Sequence, residues 1–583
     1  MSSESTTSLP KLSASIGADV AGRRMRLLDW AGQFDAWAFV LLSVALVGMI
    51  YHESLWPYPH GADLIYRVGL YAALALHIFG RQARAMALSP RRGWQIWLVP
   101  AKAAALAVVL TAITTGLMLV AANEHSSLRL SRGLLDFTES DIRDFIIHFF
   151  FDRWIALLVF AFYMLLFGIG GGGRLAEGGW AWVMAILRVG LGLKFLTALV
   201  SSFCSHMPDD SFQFFRNEIS FYVLASMLLL SLLRAPSQVL ILIRVMVVAS
   251  AWIVLVNVGA MALFAWAPQD AVRDYLTRHN LIYSPDWWNH RAIMALESMD
   301  FRPNFPVGHH NRVANMMMML SCLGAAWVVW PGESRRWRQV ALIITAGFLL
   351  VLALTKVRGA WLSFGAGMVI CTLLVYRPWG GWRHHAAAAA VALSIAGAWL
   401  VMPQVHRERV MKIFLFNAQE GEQDHNILRR IHSIRTAFNM FERHKNFGVG
   451  YGSRIYSRLY QHFEPPRSFH DPTPTEHVQP HAHMNWAQVA AEEGQFGLYA
   501  LLLLQFSVLA LAFWGARAAM AEASPMTPVL VVLLAVQCMM LLYGLTNYSL
   551  RYSLGLMVFV IMILNAILAV SWHRHQPTPP SLR

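Results

Sequence analysis

Long apolar runs recur along this chain and are separated by short polar segments. Runs such as "WAFVLLSVALVGMIY" and "LGLMVFVIMILNAILAV" approach the length of about 20 residues that a helix needs to cross a bilayer. The sequence therefore predicts an all-α, polytopic integral membrane protein with about 12–14 transmembrane helices. The predicted spans are 35–51, 64–80, 98–122, 146–170, 180–203, 218–233, 239–267, 311–330, 339–355, 359–376, 386–403, 495–515, 528–547 and 552–571.

The composition agrees with a membrane protein and limits the other classes. Charged residues make up 14% of the 583 residues, against roughly a quarter in soluble proteins. The net charge of +14 is explained by basic connections such as "GRQARAMALSPRRGWQ", which the positive-inside rule places in the cytoplasm. A nucleic-acid-binding surface would need a basic stripe with interleaved aromatic residues, and the sequence contains none. The four cysteines are scattered and predict neither a disulfide framework nor a zinc site.

The charge bias also predicts how the chain is divided across the membrane. The polar N-terminus lacks the early apolar core of a signal peptide, so we expect an uncleaved, flexible cytoplasmic tail. The predicted parts are a cytoplasmic tail at 1–34, N-terminal transmembrane helices at 35–267, central transmembrane helices at 268–403, a large helical outer loop at 404–494, C-terminal transmembrane helices at 495–571 and a cytoplasmic tail at 572–583.

Polar residues crowd the outer mouth of one span in "MDFRPNFPVGHHNRVANMMMML". Arg302 and Arg312 flank this mouth, and Asn311 and Asn315 share one helical face because they are four residues apart. These residues are candidates for binding a ligand at the membrane surface. Capping and helix–helix hydrogen bonding are the alternative explanation.

An arginine also lies between two adjoining spans, in "LLVLALTKVRGAWLSFGAGM". Arg358 is predicted at the outer membrane surface, against the usual charge bias. A charge at this depth is expensive and commonly functional. Snorkelling to lipid phosphates is the alternative.

The outer loop contains a helical pattern followed by glycines, "RRIHSIRTAFNMFERHKNFGVGYG". Apolar residues at 431, 434, 437, 438 and 441 predict an amphipathic helix that carries Arg430. The glycines are predicted to end this helix. They do not form a P-loop, because the Gly-Lys-Ser/Thr ending is absent.

Two histidines precede a later span in "PHAHMNWAQVAAEEGQFGLYALLLL". His483 leads a face of small residues, up to Gly494, against which another helix could pack closely. His481 and His483 could instead chelate a metal ion. No third ligand stands at a diagnostic spacing, and we expect no metal.

These four stretches, in this order, resemble the motifs of the O-antigen ligase and O-antigen polymerase superfamily of bacterial membrane glycosyltransferases. The resemblance covers roughly residues 300–510. Asn485 follows His483 one position later than the family's Asn. The matching residues are Arg302, Gly308 and Asn311, then Arg358 and Gly359, then Arg430 with "HKNFGVGYG", and finally His483, Glu492, Gly494 and Gly497.

The resemblance implies a GT-C-like architecture in the bacterial inner membrane, with the active site facing the periplasm and no cofactor. The implied donor is a glycan on undecaprenyl pyrophosphate, and the implied acceptor is lipid A-core or a second glycan. Arginine suits the pyrophosphate because its planar guanidinium binds oxygens in a fork. Arg302 and Arg358 are the first candidates, and Arg430 and Arg312 the second.

The same resemblance implies that His483 is the catalytic base. A histidine with a pKa near 6.5 is largely neutral at pH 7 and can take the proton of the acceptor hydroxyl. Attack from the face opposite the pyrophosphate inverts the anomeric configuration without a metal. Asn311, Asn485, Glu492 and Gly494 are expected to support the site.

Several other functions stay open at this point. The sequence does not separate a ligase from an O-antigen or exopolysaccharide polymerase; we expect a ligase, and a protein O-oligosaccharyltransferase is a further alternative. A transporter or flippase would place ionisable residues deep inside spans. Lys102, Arg188, Lys194 and Arg244 are the residues to consider, but their positions within about two turns of predicted span ends indicate snorkelling.

Overall fold

The fold of the chain is helical. The computed structural model describes residues 9–50, 59–88, 179–233, 235–266, 303, 310–375, 425–464 and 481–574, and these ranges contain no strand. In these ranges the helices are α1 Leu9–Ile50, α2 Pro59–Leu88, α3 Gly179–Phe203, α4 Pro208–Asn217, α5 Ile219–Leu232, α6 Pro236–Trp266, α7 His310–Val328, α8 Arg335–Leu354, α9 Arg358–Val375, α10 His425–Arg443, α11 Ser453–Phe463, α12 Asn485–Ala521, α13 Thr527–Gly544 and α14 Tyr552–Arg574.

This architecture confirms the predicted all-α, multi-pass membrane protein. Eight helices in the described ranges are long and apolar enough to cross a bilayer. Eleven predicted spans overlap helices, whereas those at 98–122, 146–170 and 386–403 lie outside the described residues. One expectation was wrong, since the predicted flexible tail is helical from Leu9 onward, in the same helix as the first span.

The helices form two compact units, and the first is small. It comprises residues 1–175 and 216–234, and its described part contains α1, α2 and α5. Within it, the imidazole Nδ1 of His77 lies 2.8 Å from Oδ1 of Asp35. Asp35 also forms an ion pair with Arg84. These polar contacts join α1 to α2.

The second unit, residues 176–215 and 235–583, contains every candidate site residue that the structure describes. Helix α14 is apolar around its circumference and all of its span is buried, so it forms the core of this unit. Helix α8 instead exposes Leu342 and Ile343. Such a face matches lipid tails, which are as apolar as leucine.

A kink at Gly494 divides α12 into a short first part and a long apolar second part. Gly494 has φ 68° and ψ −163°, a conformation that is essentially restricted to glycine. The turn after α10 fills the break, because Val449 N–H donates to Ala491 O at 2.9 Å and Gln495 N–H donates to Lys445 O at 2.7 Å. Residues 485–494, at the end of the loop predicted at 404–494, form the first part of α12. We had expected another helix to pack closely at Gly494, but the close neighbour is this turn.

The other side of the kink is held by a buried ion pair. The Lys194 ammonium on α3 binds the Glu493 carboxylate, and both side chains are almost fully buried. Thr197 Oγ1 also donates to Glu493 Oε2 at 3.1 Å. We had expected Lys194 to snorkel to the membrane surface, and this expectation was wrong. Arg244 likewise pairs with Glu333, and Lys102 lies outside the described residues.

Helix α10 is amphipathic, as predicted, but its buried face differs from the predicted one. Ser433, Ala437 and Met440 are buried, whereas Ile431 and Phe438 are exposed. The helix ends at Arg443, before the glycines that were expected to end it. The turn that follows uses positive φ at Gly448, where a side chain would overlap the Glu492 backbone.

Candidate active site

The segment between α13 and α14, residues 545–551 with the sequence "LTNYSLR", is where the separate motifs meet. Tyr543, at the end of α13, donates its hydroxyl to Asn311 O at 2.8 Å. Asn547 Nδ2 donates in turn to the Tyr543 hydroxyl oxygen at 2.5 Å. These bonds fix the first turn of α7 against the 545–551 segment.

Two further motifs reach the same segment at Thr546. Arg430 of α10 donates from Nη1 to Thr546 O at 3.2 Å. Gly359, in the first turn of α9, lies so close that a Cβ added there would be 3.2 Å from Thr546 Oγ1. Arg358, the first residue of α9, is half-buried beside this contact.

The start of α12 is attached to the segment by a double hydrogen bond. Asn485 Nδ2 donates to Ser549 Oγ at 2.8 Å. Ser549 N–H donates back to Asn485 Oδ1 at 2.7 Å. Both groups are buried, so this pair sets the position of the first turn of α12.

His483 lies two residues before α12 and has an unusual backbone conformation. Its φ of 56° is in the left-handed region, which few residues other than glycine occupy. Its side chain is half-buried, and its Nδ1 is buried with no hydrogen-bond partner within the described ranges. Its backbone N–H donates to His481 Nδ1 at 3.3 Å. In a neutral imidazole one ring nitrogen donates and the other accepts, so His483 can take a proton at one of them.

The surroundings keep the His483 imidazole neutral. Burial, together with the smaller effect of the nearby positive charge of Arg430, lowers the pKa of His483 to about 4. The sequence predicted a free base with a pKa near 6.5. At pH 7 nearly all of the His483 side chains are therefore neutral, but each is a weaker base than an ordinary histidine.

The structure brings together some of the predicted site residues and separates others. Arg430 and Asn485 contact the 545–551 segment directly, and Asn311 is linked to it through Tyr543. Arg358 precedes Gly359, which contacts Thr546, and His483 lies two residues before Asn485. The remaining candidates lie elsewhere or are not described. Arg312 is half-buried in the first turn of α7, Glu492 and Gly494 lie at the kink of α12, and Arg302 and Gly308 lie outside the described residues.

The sequence analysis missed the residues that connect the motifs, namely Tyr543, Thr546, Asn547 and Ser549. Tyr543, Thr546 and Asn547 fall within the predicted span 528–547 and were therefore treated as part of a membrane helix. One available signal was the polar run Thr546–Ser549 between two strongly apolar stretches. Such a break predicts a connection, but nothing in its spacing indicates which distant motifs it contacts.

The chemistry of this site follows from its side chains. A guanidinium and several amide groups can bind an anion, and a neutral imidazole can accept a proton. Within the part of the chain that the structure describes, no three His, Cys, Asp or Glu side chains group as metal ligands. The His481 Nδ1, one half of the possible chelate, already accepts the His483 N–H.

Residues 340–504 match the protein family described as O-antigen ligase. This match supports membership of the O-antigen ligase and polymerase superfamily. It indicates an enzyme of the glycosyltransferase type. The match runs from α8 into α12 and includes Arg358, Arg430 and His483, but it ends before the 545–551 segment that their motifs contact. Among curated proteins, none matches the sequence.

Proposed function

We propose that this protein is an O-antigen ligase of the bacterial inner membrane. It transfers a glycan from undecaprenyl pyrophosphate to a hydroxyl of lipid A-core, on the periplasmic side, with inversion and without a metal. The observation that carries the proposal is the meeting of Arg430, His483 and the first turns of α7 and α9 around the 545–551 segment. A base and a phosphate-binding cation then stand at one end of the helices that hold the lipid carrier.

In the proposed reaction, His483 removes the proton of the acceptor hydroxyl as its oxygen attacks the anomeric carbon. The bond from that carbon to the pyrophosphate oxygen breaks, and its electron pair leaves with undecaprenyl pyrophosphate. Arg358 and Arg430 stabilise the negative charge that grows on the leaving group. Arg312 and Arg302 are further candidates for this role. The reaction ends with the glycan on lipid A-core and the proton on His483.

The charge of Arg430 links donor binding to the strength of the base. The positive charge of Arg430 contributes to the low pKa of His483. A pyrophosphate bound to Arg430 brings negative charge that offsets this repulsion. The pKa of His483 then rises toward its ordinary value, so the base becomes stronger when the donor is in place. This favours transfer to the acceptor in the assembled complex.

Transfer by purified protein in nanodiscs tests the proposal directly. The protein receives a glycan on undecaprenyl pyrophosphate, with or without lipid A-core, and the glycan products are separated by gel electrophoresis. We expect a product that forms only when lipid A-core is present. Lengthening of the glycan on the lipid carrier alone would identify a polymerase instead. Glycan transfer to a protein acceptor, with neither of these products, would identify an oligosaccharyltransferase.

The pH dependence of transfer should reflect the low pKa of His483. The base works only when unprotonated, so kcat/KM, which reports the free enzyme, should fall on the acid side with a midpoint near pH 4. The midpoint for kcat should lie higher, because bound pyrophosphate offsets the Arg430 charge. Rates are measured from about pH 3 to about pH 8, so that both sides of the midpoint are covered, with a return to about pH 7 to exclude denaturation. A midpoint for kcat/KM at pH 6.5 would contradict this environment for His483.

A further inference from the structure

The backbone before His483 is held by one buried side chain that the proposed reaction does not use. Gln488, one turn into α12, is fully buried. Its Oε1 accepts the Ala482 N–H at 2.6 Å. Its Nε2 donates to Glu492 Oε1 at 2.6 Å. The side-chain amide therefore bridges the segment before α12 and the end of the first part of α12.

The two partners of Gln488 determine which way its amide faces. A backbone N–H needs an acceptor, and only the amide oxygen can serve. A carboxylate oxygen of Glu492 needs a donor, and only the amide nitrogen can serve. Reversing the amide would set two donors against each other at Ala482 and two acceptors against each other at Glu492. Glutamine is therefore suited to this position by chemistry as well as by size.

The bridge continues into the kink of α12. Glu492 O accepts the Gly450 N–H at 3.1 Å and the Ser201 hydroxyl at 2.6 Å. The turn after α10, the end of α3 and the backbone at Ala482 are thus joined through Gln488 and Glu492. This explains how Glu492 can support the site although it lies away from the 545–551 segment.

We propose that Gln488 is a positioning residue that holds the Ala482 backbone so that His483 keeps its left-handed conformation at the site. A residue in that conformation is strained and persists only where its surroundings hold it. The consecutive N–H groups of Ala482 and His483 are both bound by side chains, those of Gln488 and His481. The inference rests on the proposed role of His483 as the base.

Replacing Gln488 by leucine tests the inference, because leucine keeps the apolar volume and removes both bonds. We expect kcat to fall about 10- to 100-fold, since a shift of about 1 Å in a reacting group can cost 100-fold. The KM for the lipid-linked donor should change little, because the arginines are untouched. Gln505→Leu is the matched control. It removes another buried amide of α12, which accepts from Trp486 and, within the described ranges, has no contact with the site described above, and it should leave kcat unchanged.

Gln488→Glu separates positioning from a general effect on the fold. A glutamate can still accept from Ala482, but its second oxygen faces Glu492, so the two carboxyl groups must share a proton. At pH 6 the shared proton restores the bridge, and kcat should lie within about 3-fold of the wild type. As pH rises and the proton is lost, kcat should fall on an alkaline limb that the wild type lacks. A purely structural role would change the yield of folded protein and add no such limb.

The outcomes also distinguish this inference from the proposed function. If His483→Asn retains full transfer, the proposed role of His483 as the base is wrong, whatever the result for Gln488. If His483→Asn is inactive but Gln488→Leu has the wild-type kcat per folded protein, only the positioning inference is overturned. Where Gln488→Leu does not fold, Gln488→Glu decides. An alkaline limb supports the inference, and a wild-type pH profile contradicts it.

Discussion

Replacing His483 by alanine is expected to lower kcat for glycan transfer by about 100- to 10,000-fold, because a positioned general base contributes about that factor. The acceptor hydroxyl is a poor nucleophile until its proton is removed. No other histidine within the described ranges combines a buried ring nitrogen that lacks a hydrogen-bond partner with a position beside Arg430. The loss should appear in kcat, with the KM for the donor nearly unchanged, in the nanodisc assay with lipid A-core.

Two further variants show whether this loss comes from the imidazole. Alanine at φ 56° is itself strained, so His483→Asn is the better replacement, because asparagine tolerates the left-handed region. It should be as inactive as His483→Ala. His462→Ala, on the exposed side of α11, removes a histidine outside the site and should keep full activity. Full transfer by His483→Asn would remove His483 from the mechanism.

The sequence predicted the membrane helices well because their signal is local. Every apolar run in the described ranges is a helix. Arg358 begins α9, Arg430 lies within the amphipathic helix α10, and His483 comes just before α12, as their motifs indicated. Their catalytic roles stay predictions. The start of α12 was placed about ten residues too late, because Gln488, Glu492 and Glu493 look like loop residues in a hydropathy profile. Each of these side chains has a buried polar partner or neighbour, which the profile cannot show.

The contacts between distant segments could not be predicted. The 545–551 segment meets four motifs that lie from about 60 to about 235 residues away, and no spacing rule connects them. Lys194 looked like a snorkelling lysine, since the sequence of α3 alone contains no carboxylate to pair with it. Its partner Glu493 lies 299 residues along the chain. Glycine is common in membrane helices, so the pattern around Gly494 gave no sign of a break.

Replacing Gly494 by alanine is expected to destabilise the fold by about 2–6 kcal/mol, from a glycine-only backbone conformation and from overpacking. A Cβ at this position would lie 2.4 Å from both C and O of Asn446 and 2.6 Å from Lys445 O. These are backbone atoms, which cannot rotate away as a side chain can. The apparent Tm of the protein in nanodiscs should fall by about 5 °C or more. Transfer should be lost as well, because the turn after α10 no longer fits the break in α12.

The matched control is Gly365→Ala in α9, where a Cβ meets nothing within 4 Å and the backbone is helical. Alanine is favoured over glycine inside a helix, so this variant should be as stable as the wild type or slightly more so. A Gly494→Ala protein with an unchanged Tm would show that α12 can straighten at this point. The hydrogen bonds from Val449 to Ala491 and from Gln495 to Lys445, which join this turn to α12, would then not hold the kink. Loss of transfer with unchanged stability would place the role of Gly494 in the geometry of the site alone.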